Sequence, residues 1–146
     1  MKKEIWFDMD GTIADLYSVE NWLDDLRAEK VRPYAEAKVM LNMQALARVL
    51  NRLIREGYSI GIISWTSKCG SREYNEAVAE VKRDWLKKHL NSVKFKEIHI
   101  VEYGTPKWTF AESKTAILFD DEEKNRNDWK GIAYGVDNIL KILKEF

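Results

Sequence analysis

The chain has 146 residues, of which 45% are hydrophobic and 33% charged, and this balance excludes a disordered or fibrous protein. Lysine plus arginine equals aspartate plus glutamate at 24 each, so no overall field attracts nucleic acid or an anionic membrane. We therefore expect residues 1–146 to form one catalytic or binding unit.

The single cysteine, Cys69, excludes an internal disulfide and favours a reducing compartment. The start, Met1-Lys2-Lys3-Glu4, leads to an apolar stretch that Asp8 interrupts, which fits neither a signal peptide nor a membrane span. We therefore predict a cytoplasmic protein with no membrane partner. Lys68 can activate the neighbouring Cys69 thiol, but no histidine is near in sequence, so we interpret Cys69 as an incidental loop residue and not as a nucleophile.

The first predicted strand, Ile5-Trp6-Phe7, ends in the run Asp8-Met9-Asp10-Gly11-Thr12. A buried strand has no packing use for two acids at its carboxyl end, whereas two carboxylates on one turn can share a metal and a substrate. Gly11 lets the backbone fold back around them. The pattern Asp-x-Asp-Gly also ends many strands in simple turns, so the rest of the chain must decide between a site and a turn.

Downstream, apolar residues at helical spacing alternate with short apolar runs. In chain order these patterns predict helices over 18–28 and 39–56, a strand over 58–64, a helix over 71–90, a strand over 97–101, a short helix starting at Thr105-Pro106, strands over 115–119 and 132–134, and a final helix over 137–143. Strands that alternate with helices imply a parallel sheet covered on both faces. We therefore predict an α/β fold, a three-layer Rossmann-like parallel sheet.

Polar residues follow the predicted strands at their carboxyl ends, where parallel sheets bind ligands. They are Asp8 and Asp10, Ser64-Trp65-Thr66, Asp120-Asp121 and, in the short helix, Lys107. Singly, Ser64 can merely end a strand, and Asp120-Asp121 can belong to an acidic loop before a helix. Lys107 has a rival in Lys114, which precedes a strand and so belongs at the opposite edge. Together the residues place at least three carboxylates, a hydroxyl and an ammonium at one rim.

This set of motifs resembles the haloacid dehalogenase superfamily, in particular its magnesium-dependent phosphatases. The segment Phe7 to Thr12 matches the first family motif at every characteristic position. Ile62-Ile63-Ser64 is similar to the second motif, Lys107 to the third, and Phe119-Asp120-Asp121 to the acidic fourth. The resemblance spans residues 4 to about 130 and is specific because the four motifs follow in order.

The resemblance implies a phosphate monoester hydrolase that uses Mg²⁺. Asp8 would be the nucleophile that forms a transient aspartyl phosphate, and Asp10 the proton donor and acceptor. The resemblance also implies that Asp8, the Asp10 carbonyl and Asp121 bind Mg²⁺, with Asp120 in support. By the same resemblance, Ser64, Lys107 and the neighbouring Trp65 would bind the phosphoryl oxygens of the substrate.

The short segment after the first motif limits what can cover the site. Only about thirty residues separate that motif from the long helix, which allows a small helical flap around 16–40 and no large cap domain. Such an open site admits a nucleotide, a nucleic-acid end or a phosphoprotein. Trp65, and less clearly Tyr17 and Trp22, offer faces on which a nucleobase can stack. A looser similarity to deoxyribonucleotidases makes nucleotides the substrate hypothesis.

Competing motifs fail on their context. Gly57-Tyr58-Ser59-Ile60-Gly61 fits a hydrolase pattern that needs a strand before it and a helix after it, and here the order is reversed. A calcium loop starting at Asp8 would need glycine at Ile13 and glutamate at Val19. A phosphorelay receiver would need an aspartate at Val101-Glu102. The alternative of a different class is a non-catalytic module that binds phosphate or nucleic acid and retains the site; the oligomeric state stays open.

Overall fold

A five-stranded parallel sheet organises the computed structural model, which describes residues 3–146. Its strands are β1 (Lys3–Phe7), β4 (Tyr58–Trp65), β5 (Glu97–Val101), β6 (Ile117–Phe119) and β7 (Ile132–Tyr134), in the spatial order β5-β4-β1-β6-β7. Two short strands, β2 (Ala14–Asp15) and β3 (Lys38–Val39), pair antiparallel outside this sheet. Met1 and Lys2, on which the prediction about a signal peptide partly rests, lie outside the described residues.

The central strand of the sheet is β1, and this position determines where its acids emerge. Phe7 is in register with Ile62 of β4 on one side and with Phe119 of β6 on the other. These strands are nearly continuous apolar runs, as expected for a parallel sheet that is buried on both faces. Residues that follow β1, β4 and β6 therefore meet at the middle of one sheet edge.

Three helices cover the face of the sheet that carries Ile5 and Phe7. They are α3 (Met43–Arg55), α4 (Arg72–His89) and α6 (Ile139–Lys144). Leu50, Trp85 and Leu143 bring these helices into one core cluster with the strands. The side chains of Asn42 and Ser71 accept hydrogen bonds from backbone N–H groups at the starts of α3 and α4, which satisfies donors that a helix start leaves unpaired.

The opposite face carries Trp6 and is covered by a thinner layer. A 3₁₀ turn, Lys107–Phe110, packs here with Trp129, which follows the short helix α5 (Glu123–Asp128). The three-layer α/β fold is therefore confirmed, although the helix predicted at Thr105-Pro106 is a 3₁₀ turn. Helix α5 was not predicted because Glu123–Asp128 contains no apolar residue and so shows no hydrophobic periodicity.

The segment over 16–40 contains more structure than the single predicted helix. After a 3₁₀ turn at Leu16–Ser18 it forms α1 (Trp22–Arg27) and α2 (Arg32–Glu36). The helix predicted over 18–28 does not include α2, which contains Pro33; proline is tolerated there because it lies in the first turn of the helix, where its missing N–H is not needed.

This segment is anchored to the long helix α4. Leu16 and Tyr34 from the segment form a buried cluster with Tyr74 and Val78 of α4. The helix predicted to start at Val39 begins only at Met43, because β3 pairs with β2. Residues 3–146 contain no large cap domain. No helix among them has the length and hydropathy of a membrane span.

Candidate functional site

The turn after β1 brings the first acidic motif against the fourth. The carbonyl of Met9 accepts hydrogen bonds from three successive backbone N–H groups, ending with that of Ala14, so the chain folds back sharply after Asp8. Gly11 has a φ of +81°, which disfavours L side chains. A Cβ at Gly11 would lie 2.3 Å from Asp121 Oδ2. Glycine is therefore required here both for the backbone conformation and for the approach of Asp121.

A buried lysine links the first motif to the fourth. Lys107 Nζ donates to Asp8 Oδ1 at 2.9 Å and to Asp120 Oδ2 at 2.7 Å. Burial disfavours the ammonium form, but the two carboxylates outweigh this effect and raise the pKa of Lys107. Lys107 is therefore a fixed positive charge beside Asp8. The exposed Lys114 does not line the cavity described below.

Asp120 accepts more hydrogen bonds from the protein than Asp121 does. Asp120 is fully buried, and besides Lys107 it accepts hydrogen bonds from the Glu122 N–H at 2.9 Å and from Asn125 Nδ2 at 3.2 Å. Asp121 Oδ1 lies 3.4 Å from the hydroxyl of Thr12. Of the two acids, Asp121 is the one with oxygens available to an incoming cation.

The three acids form a compact oxygen cluster. One carboxylate oxygen from each of Asp8, Asp120 and Asp121 lies within 4.8 Å of the others. Burial and the charge of Asp8 raise the pKa of Asp120 to about 6 and that of Asp121 to about 8. The cluster therefore favours a neutralising proton or cation. Hard oxygen donors in this number are a donor set that fits Mg²⁺.

A second buried lysine, Lys82 of α4, completes the site and was not predicted. Its Nζ donates to Asp10 Oδ2 at 2.6 Å, to Ser64 Oγ at 2.8 Å and to the Trp65 carbonyl at 2.7 Å. The residue is 1% exposed. The sequence contains a signal for it: Lys82 interrupts the apolar stripe of α4, where a lysine is costly to bury unless it has partners.

The predicted site residues therefore divide into two groups around two ammonium groups. Asp8 and Asp120 contact Lys107, with Asp121 beside Asp8. Asp10 and Ser64 contact Lys82. Trp65 contributes to both groups, because its carbonyl accepts from Lys82 while its ring lies 5.1 Å from Lys107 Nζ.

The residues after β4 differ in how they face the site. Ser64 is fully buried, and its oxygen accepts the hydrogen bond from Lys82. The indole N–H of Trp65 donates to the Thr105 carbonyl at 2.9 Å, which fixes the orientation of its ring. Thr66 lines the cavity and is 6% exposed; its hydroxyl has no partner among the described residues. The sequence places Thr66 at the end of this strand but predicts no role for it.

A cavity of about 520 Å³ opens above these groups. Asp8, Asp10, Trp65 and Lys107 line it, whereas Ser64 does not. The segment over 16–40 and the loop after β5 contribute its aromatic and aliphatic residues, which are Leu16, Tyr17, Trp22, Leu23, Leu26, Tyr34 and Tyr103. The loop after β4 contributes a mostly polar wall, residues 66–70. The volume is in the range of small-molecule sites.

Tyr17 connects the aromatic wall with the acids. Its ring packs edge-on against Trp22 with centroids 5.0 Å apart, yet 46% of the residue is exposed. Burial and the nearby charges of Asp10 and Asp121 raise the pKa of the Tyr17 phenol, so it stays protonated and can donate a hydrogen bond. Cys69 lies exposed at the edge of the same cavity.

The fold has solved relatives at low sequence identity. A D,D-heptose 1,7-bisphosphate phosphatase from Burkholderia thailandensis aligns over 99% of this chain and 98% of its own, with a TM-score of 0.57 and 13% identity. The HAD domain of the effector protein Lem4 from Legionella pneumophila aligns over 92% and 84%, with a TM-score of 0.39 and 14% identity. No family model matches the sequence, and no curated protein matches it.

Proposed function

We propose that this chain, which has the fold of the haloacid dehalogenase superfamily, is a magnesium-dependent phosphate monoester hydrolase. The observation that carries the proposal is the position of Asp8 at the floor of an aromatic cavity. There it is paired with the ammonium of Lys107 and adjoins an acidic cluster. Phosphoryl transfer needs a nucleophile, positive charge on the phosphoryl group and a proton for the leaving oxygen, and residues at this rim can meet each need.

Asp8 is the proposed nucleophile. Lys107 donates to its Oδ1 and the Thr12 hydroxyl donates to its Oδ2 at 3.0 Å, so the carboxylate is fixed before a substrate arrives. Attack on phosphorus forms an aspartyl phosphate as the bond to the ester oxygen breaks, and water then hydrolyses the acyl phosphate.

Asp10 is the proposed proton donor and acceptor. It lines the cavity with Asp8. Burial raises the pKa of Asp10, while the adjacent Lys82 opposes the rise and the charge of Asp8 adds to it. A raised pKa lets the carboxyl group carry the proton that the departing ester oxygen needs, and Asp10 then accepts a proton from the attacking water.

Lys107 and Trp65, which line the cavity, and Ser64, which is buried beside Lys82 and does not line it, form the proposed phosphate-binding set. Lys107 contributes charge at the cavity floor. The oxygen of Ser64 already accepts a hydrogen bond from Lys82, so the hydroxyl proton of Ser64 is left to donate. Trp65 holds the Lys107 ammonium against its ring face.

Mg²⁺ is the proposed cofactor, bound by the carboxylates of Asp8 and Asp121 and by the carbonyl of Asp10. Asp120 supports the site by fixing Lys107. When bound, the cation supplies positive charge that offsets the repulsion between Asp8 and the phosphate.

The substrate is proposed to be a small phosphate monoester, with nucleotides as the first hypothesis. The exposed rings of Tyr17 and Tyr103 stand at the cavity wall, where a base can stack. One similar solved structure is that of a D,D-heptose 1,7-bisphosphate phosphatase, so sugar phosphates form the second arm of the test. Nucleic-acid ends and phosphopeptides complete the panel. A cytoplasmic location, predicted from the single cysteine, is part of the same proposal.

The decisive test is hydrolysis of this panel by the wild type and by Asp8→Asn, with Mg²⁺ and with a chelator. Magnesium-dependent release of phosphate by the wild type and none by Asp8→Asn is the expected result. A non-catalytic binding module would bind phosphate esters without releasing phosphate under either condition. Preference for nucleoside monophosphates over sugar phosphates would support the nucleotide hypothesis, and the absence of that preference would reject it.

A further inference from the structure

Lys82 is a fully buried cation whose hydrogen-bonding capacity is used completely. Its three ammonium protons go to Asp10 Oδ2, Ser64 Oγ and the Trp65 carbonyl, at 2.6 to 2.8 Å. The ring of Tyr34 lies 5.0 Å from the same nitrogen. A buried ammonium is costly without such partners, so the four surrounding groups fix its position closely.

The helix that carries Lys82 is itself rigidly placed. Lys82 lies near the middle of α4, and its neighbours along the same face, Val78, Trp85 and Leu86, are buried against the core. The ammonium therefore sits on a fixed scaffold that joins the end of β4 to the turn after β1. Groups built on such elements are held more precisely than groups on loops.

The contact with Lys82 determines which carboxylate oxygen of Asp10 is available for proton transfer. Lys82 is the only described side chain that donates to Asp10, and it occupies Oδ2. The free oxygen, Oδ1, is then the one that can carry and transfer a proton while Asp10 lines the cavity. A carboxyl group that could rotate freely would present the proton in many directions, at a cost in rate.

We propose that Lys82 is a positioning residue for proton transfer by Asp10, a role that rests on the phosphatase function proposed above. As Asp8 attacks phosphorus and the phosphorus–ester oxygen bond breaks, Asp10 Oδ1 gives its proton to the leaving oxygen, which departs as a neutral alcohol. The carboxylate that remains keeps its hydrogen bond from Lys82. In the second step Asp10 takes the proton of the water that hydrolyses the aspartyl phosphate.

Two matched esters separate this role from a structural one. Para-nitrophenyl phosphate releases a stable phenolate, which can depart without a proton. Para-nitrobenzyl phosphate has a similar shape, but its leaving group is a basic alkoxide that must be protonated as it departs. The constant to measure is kcat/KM, because it covers the steps up to release of the alcohol. The variants are Lys82→Met, Asp10→Asn and their combination, with Lys87→Met as the control, since Lys87 is an exposed lysine on the same helix.

We expect Lys82→Met to lower kcat/KM by about 100-fold for the benzyl ester and by less than about fivefold for the nitrophenyl ester. In the Asp10→Asn background, adding Lys82→Met should change neither value by more than about twofold, since the residue acts through Asp10. Lys87→Met should match the wild type. If Lys82→Met fails to fold, Lys82→Gln, whose amide can still donate a hydrogen bond, replaces it and should show the same selective loss to a smaller extent.

Equal losses on the two esters, or a full additional loss on top of Asp10→Asn, would overturn the role of Lys82 and leave the phosphatase proposal standing. A wild type that hydrolyses neither ester in the presence of Mg²⁺ would overturn the proposed function itself.

Discussion

The ammonium of Lys107 lies 2.9 Å from Asp8 Oδ1, although the two residues are 99 positions apart in sequence. Folding brings the two residues together, because Asp8 follows the central strand and Lys107 lies in the 3₁₀ turn that packs on the face of the sheet carrying Trp6. Both side chains are buried, so the charges interact through a medium less polar than water. The pair is the centre of the proposed catalytic machinery.

Replacing Lys107 should therefore remove catalysis. We expect Lys107→Met to lower kcat by about 100-fold to 1000-fold, because a buried charge that stabilises the transition state is lost. The measurement is the magnesium-dependent rate of phosphate release. Lys114→Met is the matched control, since Lys114 is exposed and does not line the cavity, and it should keep the wild-type rate. If Lys114→Met lost activity and Lys107→Met kept it, Lys114 and not Lys107 would be the catalytic lysine.

Asp120 and Asp121 should differ in their effect on metal binding. Asp121 is the proposed direct ligand, so Asp121→Asn should weaken Mg²⁺ binding by more than about 100-fold. Asp120→Asn disturbs the hydrogen bonds that orient Lys107, so it should weaken Mg²⁺ binding by only about tenfold. Calorimetric titration of each purified variant with Mg²⁺ measures both values. A larger effect at Asp120 than at Asp121 would exchange their roles.

The metal-free protein should lose stability as the pH rises. The pKa of Asp121 is about 8 in the fold against an ordinary value of 3.8, with burial as the main cause. A pKa raised by folding means that the folded state binds the proton more tightly, so this contribution is complete below pH 3.8 and is lost as the pH approaches 8. Mg²⁺ should restore stability at the alkaline end.

Denaturant unfolding with a chelator, at a series of pH values, measures this loss. Asp121→Asn should remove most of the decline between about pH 6 and pH 8, because the amide does not titrate. Part of the decline below that range should remain, since the pKa of Asp120 is raised to about 6. A wild-type stability that stays level from pH 6 to pH 8 without metal would contradict the raised pKa of Asp121.

Gly11 and Gly57 form a natural pair for testing the close approach at the site. Both have a positive φ, +81° and +98°, but only a Cβ at Gly11 would meet another group, at 2.3 Å from Asp121 Oδ2. Gly11→Ala and Gly57→Ala should each lower the free energy of unfolding by about 1–3 kcal/mol through backbone strain. Only Gly11→Ala should also lose Mg²⁺ binding and activity. Equal activity in the two variants would show that the approach of Asp121 to the turn is not required.

The sequence was sufficient to predict the fold class and the edge at which acids and Lys107 meet. Parallel strands read as continuous apolar runs, and the residues that follow them collect at one edge by a topological rule. The predicted fold is confirmed, and a D,D-heptose 1,7-bisphosphate phosphatase shares it. Periodicity could not reveal α2, because this helix has only five residues and contains Pro33, a residue that a helix tolerates only in its first turn.

Lys82 could not be assigned from the sequence because its partners are distant along the chain. It lies 72 positions from Asp10 and 18 from Ser64, and no local pattern records these contacts. A lysine within an apolar helical stripe predicts a buried charge without identifying its partner. The same limit applies to Ser64, whose contact with Lys82 instead of the cavity depends on how α4 packs on the sheet.

The most direct test of the account is to locate the phosphoryl group during turnover. Wild-type protein mixed with para-nitrophenyl phosphate and Mg²⁺, quenched in acid and analysed by peptide mass spectrometry, should carry one phosphoryl group on Asp8, and Asp8→Asn should carry none. Phosphorylation of a different residue, or ester hydrolysis by Asp8→Asn at the wild-type rate, would contradict the role of Asp8 as the nucleophile.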